Sequence, residues 1–93
     1  MMIGPATLLK TSGEAISSDV DGEIVLISVA SGRYFGLDPV SSEIWRRLEE
    51  PTSFEALRAG LQAHFDGEPE TIEREALVFV TGLVDRGLVE VLN

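Results

Sequence analysis

Ninety-three residues carry seven Lys+Arg against sixteen Asp+Glu, a net charge of −9, with no cysteine and 44% hydrophobic side chains. A chain this short holds one core, and without cysteine it has neither disulfides nor thiolate metal sites. Its acids are spread along the chain, which leaves no basic footprint for displacing counterions from nucleic-acid phosphates. The longest apolar run falls far short of the roughly 20 residues that span a bilayer. Met1–Leu9 lacks a charged start and is interrupted by Gly4-Pro5, so it does not read as a signal peptide. The expected setting is the cytoplasm, with no membrane partner.

Residues 1–13 show little periodicity and are expected to form an irregular arm ahead of a single domain spanning 14–93. Asp21-Gly22 then signals a two-residue hairpin turn, since both central positions of a type I′ turn need positive φ. Ser31-Gly32 gives a weaker version of the same signal. Between them Glu23–Ala30 holds Ile24, Val25, Leu26, Ile27 and Val29, a run that fits a strand covered on both faces or the middle strand of a meander. Two-residue turns set the register: Val20 faces Glu23 and Ile16 faces Ile27, while Ala30 faces Arg33, Val29 faces Tyr34 and Ser28 faces Phe35. Arg33–Leu37 is then an edge strand, and no later segment reads as a long strand able to cover it.

From Asp38-Pro39 the period becomes helical, with Asp as N-cap and Pro at the first helical position. Val40, Ile44, Trp45 and Leu48 share one side, and Glu50-Pro51 ends the helix. Thr52-Ser53-Phe54-Glu55 matches a capping box with Thr52 at its head. Its helix carries Phe54, Leu57, Leu61 and Phe65 on a core face. Pro69 opens a third helix that runs to Arg86 and stops at Gly87, and Leu88–Val91 adds a terminal strand or extended tail. The fold class is α+β, a three-stranded antiparallel sheet followed by three helices.

In the third helix Ile72, Ala76, Phe79 and Leu83 fall within an arc of about 60° at 100° per residue, an ordinary core seam. Val80, Val84 and Leu77 widen the apolar sector to about 160°, more than a surface helix needs. A helix wedged between the sheet and both other helices explains that width. So does a groove with Leu77, Val80 and Val84 on one wall and the edge strand on the other. The second arrangement is the physical recipe for strand addition by a peptide.

Other chemistry finds no residues to carry it. His64 is the only histidine, and no serine has a base and an orienting group beside it. Asp66-Gly67-Glu68 lacks the ligand series of a calcium loop, and Gly32 and Gly36 form no phosphate-binding pattern. Neither catalysis nor a cofactor is expected.

Gly32-Arg33-Tyr34-Phe35-Gly36-Leu37-Asp38-Pro39 leads into Ile44-Trp45, with Phe54-Glu55-Ala56-Leu57 and Arg86-Gly87-Leu88-Val89 following in order. This layout, over roughly residues 14–90, resembles the PqqD-like family, the recognition elements for ribosomally made, post-translationally modified (RiPP) peptides. The stretch Gly32–Leu37 looks more like the small partner of lasso-peptide leader proteases than the pyrroloquinoline-quinone protein. The resemblance implies a winged-helix-like domain that binds the leader segment of a precursor as an added strand between the third strand and third helix. It implies contacts from Arg33, Tyr34, Phe35 and Leu37, and from Leu77, Val80, Thr81 and Val84. It also implies an adaptor's role, presenting the precursor to a leader peptidase or cyclase. Two rivals share the same layout: a winged-helix DNA-binding regulator, which needs a basic helix this chain lacks, and a module whose edge strand pairs with a second copy in a homodimer.

Overall fold

The computed structural model describes residues 2–93. In chain order the elements are β1 (Leu8–Thr11), β2 (Ala15–Val20), β3 (Glu23–Ser28), β4 (Tyr34–Gly36), α1 (Pro39–Leu48), β5 (Thr52–Ser53), α2 (Phe54–His64), α3 (Pro69–Asp85) and β6 (Val89–Val91). They make two antiparallel three-stranded sheets, β2-β3-β4 and β5-β1-β6. The α+β class and the three helices are as expected; the second sheet is not.

The meander β2-β3-β4 grows from local signals. Asp21 and Gly22 sit at φ 55° and 89°, the left-handed pair of a type I′ turn. That turn sets the expected register, Val20 opposite Glu23 and Ile16 opposite Ile27. Asp19 closes it by accepting from the Gly22 N–H at 2.8 Å. Arg46 on α1 reaches over to Asp19 Oδ2 (2.8 Å) and to the Gly22 carbonyl (2.7 Å), pinning the turn to the helix. Arg46 and the Gly22 amide together hold the Asp19 carboxyl below the usual carboxylate range.

The second hairpin differs from its expected register. Ile27 pairs with Tyr34, Leu26 with Phe35 and Val25 with Gly36, two residues away from the expected pairs. Ser31-Gly32 does not close a two-residue loop. The Gly32 N–H bonds back to the Ser28 carbonyl (2.9 Å) and the Ser28 N–H bonds to the Arg33 carbonyl (2.8 Å), enclosing a four-residue loop from Val29 to Gly32. A slip of two keeps every side chain on its face, whereas a slip of one would reverse them all. Ile24 and Leu26 therefore still point into the core together with Leu37.

The segment expected to be an irregular arm holds β1, the central strand of the second sheet. Leu9 faces Thr52 on one side and Val91 on the other, and its side chain is 0% exposed. The Asn93 side chain fastens this sheet further, accepting from the Leu8 N–H (2.9 Å) and donating to the Ala6 carbonyl (3.1 Å). Because Thr52 is engaged as a strand residue, the cap of α2 passes to Ser53, whose Oγ accepts from the Ala56 N–H at 3.1 Å. Thr52 is not the capping residue.

Asp38 and Pro39 start α1 as their types dictate, with Asp38 accepting from the Ser41 N–H at 2.7 Å. At the far end of α3, Gly87 takes φ 75°. Its N–H reaches the Val84 carbonyl while the Leu88 N–H reaches the Leu83 carbonyl, the paired bonds of a Schellman stop. That stop buries Leu88 and Val89 and feeds the chain into β6. The core gathers Leu9, Leu26, Ile44, Leu48, Leu57, Leu61, Val80 and Val89 from both sheets and all three helices.

Candidate functional site

β4 is an edge: among the described residues it pairs with β3 and with no other strand. Antiparallel pairing turns alternate residues toward the neighbour. Ser28 with Arg33 and Ile24 with Leu37 are bonded at the two ends of the ladder, so the N–H and C=O of Tyr34 and Gly36 point away from β3 into the open. These four groups are the free hydrogen-bonding row at the β4 edge of the sheet, whose other edge is β2.

Ser42 fixes the far end of that row. Its hydroxyl is buried and inserted between the last ladder partners, accepting from the Ile24 N–H (2.9 Å) and donating to the Leu37 carbonyl (3.3 Å). One α1 side chain thereby locks the exit of β4 to β3 and to the helix. Nothing in the sequence reading singled out Ser42; a small polar residue on the buried side of an amphipathic helix was the available signal.

A trough runs beside the edge, between β4 and α3. Its middle is a cavity of about 270 Å³ lined chiefly by Phe35, Leu37, Phe79, Leu83, Arg86 and Leu88, with Leu26 beneath. Toward the β3–β4 loop it opens into a hollow bounded by Ser31, Arg33, Phe35 and Arg86. In the other direction it passes Asp38 and Ser41 to Ile44, Arg74, Glu75 and Val78. Arg86 spans the trough: one guanidinium nitrogen donates to the Gly82 carbonyl at 3.0 Å, and its central carbon lies 5.7 Å from the Phe35 ring centroid. That distance is within cation–π range. Gly82, having no side chain, leaves the space Arg86 occupies.

The expected β4 residues divide by face. Arg33, Phe35 and Leu37 line the trough. Tyr34 points to the opposite face of the sheet and is 74% exposed, so it offers the trough its backbone and not its ring. The expected α3 wall is misplaced. Val80 is wholly buried in the core, Val84 packs against it, and none of Leu77, Val80, Thr81 and Val84 lines the trough. Phe79, expected in the core seam, lines the trough instead, with Glu75, Val78 and Arg86 on the same flank of the helix. The helix is turned so that its core seam is Ile72, Ala76, Val80 and Leu83. The apolar sector is as wide as expected, but the sheet lies against its other flank.

His64 packs edge-on against Phe65, with ring centroids 4.7 Å apart, and does not line the trough. Among the described residues no group of three or more His, Asp or Glu is placed to hold a metal ion. No described helix is long and apolar enough to cross a membrane.

Residues 23–89 match the family described as Coenzyme PQQ synthesis protein D (PqqD). The chain belongs to this family. Three solved structures share its fold. One is TbiB1 in complex with the TbiA(beta) leader peptide, 36% identical, covering 87% of this chain and 94% of that one, with a TM-score of 0.77. Another is a lasso peptide synthetase B1 complexed with the leader peptide, 24% identical, covering 88% and 96%, TM-score 0.74. The third is the solution NMR structure of the PqqD truncation of Methylobacterium extorquens PqqCD, described as a functional, stand-alone RiPP recognition element. It is 16% identical, covering 96% and 95%, TM-score 0.74. Among curated proteins no match is found.

Proposed function

We propose that this protein is a binding adaptor. It takes up the leader segment of a ribosomally made precursor peptide as a further strand on β4 and presents it to a separate maturation enzyme, a leader peptidase or a cyclase. The observation that carries this reading is the open β4 edge lying beside an apolar trough. The TbiB1 structure, at 36% identity, holds a leader peptide, which supports it.

Both halves of the site are needed on energetic grounds. The four free backbone groups of Tyr34 and Gly36 contribute about 0.5–1.5 kcal/mol per hydrogen bond. Micromolar binding takes about 8 kcal/mol. The remainder comes from side chains buried in the trough, at about 1.5–3 kcal/mol for each large apolar residue. A bound strand alternates its side chains, so every second residue of the leader faces Phe35, Phe79 and Leu83.

The test is fluorescence anisotropy with labelled TbiA(beta) leader peptide as the probe. Phe35→Asp and Phe79→Asp are expected to weaken binding at least about tenfold, the loss of one buried apolar anchor. Leu77→Asp, on the flank away from the trough, leaves affinity within about twofold, as an exposed substitution should. Unchanged affinity in both phenylalanine variants would remove the trough from the binding site.

A further inference from the structure

Seven cations serve a chain with sixteen acids, yet two of them lie at one end of the trough without a carboxylate. Arg46 and Arg47 make the ion pairs among the described residues, with Asp19 and Glu43. Arg33 and Arg86 make none. Arg33 has its backbone N–H on Ser31 Oγ. Arg86 has only the Gly82 carbonyl and the face of Phe35. Both border the same hollow, whose other walls are Ser28, Ala30, Ser31, Phe35 and Leu88, with no acid among them. Beyond the hollow the trough differs: Asp38 already lines the central cavity that Arg86 borders, and Glu75 follows at the far end alongside Arg74.

In a strongly acidic protein, an acid-free hollow with two unpaired guanidinium groups is a local reversal of sign. Arginine presents a planar fork of donors that fits a carboxylate with two parallel hydrogen bonds. The Gly82 carbonyl satisfies one donor of Arg86 and leaves the others free. Its stacking on Phe35 holds the planar group at the junction between the hollow and the apolar cavity.

We infer that Arg86, together with Arg33, is a carboxylate-recognition site that selects an acidic residue in the bound peptide and so sets its register on β4. This inference rests on the strand-addition reading above and adds a chemical requirement to it. Arg33 and Phe35 stand two residues apart on the trough-facing side of the edge strand, and alternate residues of an added strand share that side. The acidic residue therefore lies two or four positions from the apolar residue that fills the cavity beside Phe79 and Leu83. The mixed charges at the Asp38–Glu75 end give no such preference. The site thus distinguishes a leader in the correct register from one slipped by a single residue, which would turn its carboxylate away.

The experiment is a substitution scan of the TbiA(beta) leader peptide, each position replaced in turn by Glu and by Gln, with affinities from anisotropy. One position is expected to prefer Glu over Gln by about fivefold, the size of a partly exposed ion pair. That preference falls to within about twofold in the Arg33→Gln, Arg86→Gln double variant and persists in Arg86→Lys. The preferred position falls two or four residues from the one where Glu and Gln are both most damaging. A thermal melt of the double variant matching the parent ties the loss to recognition and not to folding. Leader binding with no Glu preference anywhere, or a preference that survives the double variant, would overturn the carboxylate site while leaving strand addition intact. Failure of the unsubstituted leader and of every scan member to bind would overturn both.

Discussion

The two sheets of this molecule are built on opposite plans. β2-β3-β4 is a meander of neighbouring segments whose turns and register are set within a few residues. The sheet β5-β1-β6 gathers strands from the beginning, middle and end of the chain, and its central residue Leu9 is fully enclosed. The first sheet stops at an unpaired edge beside a trough; the second ends in short strands tied off by Asn93 and Ser53. On the proposed reading the non-local sheet closes around a buried strand while the locally determined sheet offers its β4 edge to the peptide.

The comparison breaks most visibly at Leu9. Leu9→Ala removes the central contact of the non-local sheet, and a cost of about 2–5 kcal/mol is expected for a buried leucine. In a domain this size each kcal/mol lowers Tm by about 4–8 °C. Calorimetry measures that fall, and leader affinity below the new transition should stay near the parent value. A loss of affinity with no change in Tm would contradict the division of labour.

Ser42→Ala sharpens the contrast from the other side. It leaves the Ile24 N–H and Leu37 C=O facing each other across a gap the hydroxyl had filled, at about 1–3 kcal/mol for the unsatisfied groups. Unlike Leu9→Ala, it also loosens the exit of β4. Hydrogen exchange should accelerate at Ile24 and Leu37 while β1 stays protected, and leader binding should weaken as well.

The smallest effect lies at Asp19. Its pKa is lowered in the folded state by Arg46 first and the Gly22 amide second. A depressed carboxylate contributes stability above its unfolded pKa of about 3.9 and loses it as pH falls through the folded value. Asp19→Asn should remove this part of the acid dependence, so that variant and parent converge as pH falls below the lowered folded-state value. Denaturant midpoints at pH 7 and pH 3 measure the difference, which is small because the pair is exposed.

What was legible in the sequence follows the same division. Asp21-Gly22 specifies its turn completely, and the β2–β3 register comes out residue for residue. Ser31-Gly32 misleads because Gly32 provides positive φ inside a longer loop. The resulting slip of two is harmless to facing, so Phe35 and Leu37 keep their face of the sheet and line the trough. β1 was invisible: four residues, Leu-Leu-Lys-Thr, are too few for alternation to register, and both partners lie far along the chain. In α3 the wheel reveals how much apolar surface exists but not which flank the sheet approaches. Phe79 and Val80 thus exchange roles, and Arg86, next to the glycine stop, passed as a helix-end residue. A cleft lies where the resemblance implies one, between the third strand and the third helix, but the four helix residues it assigned do not line it.

The meeting of residues 8 and 93 in one sheet has an architectural consequence. Asn93 accepts from the Leu8 amide and donates to the Ala6 carbonyl, so its side chain clasps the strand at the centre of the second sheet. The clasp extends the pairing of β1 and β6 past their last backbone bond, from the Leu92 N–H to the Leu8 carbonyl. The free β4 edge is set by one local hairpin, and this long-range clasp is gathered in a different sheet.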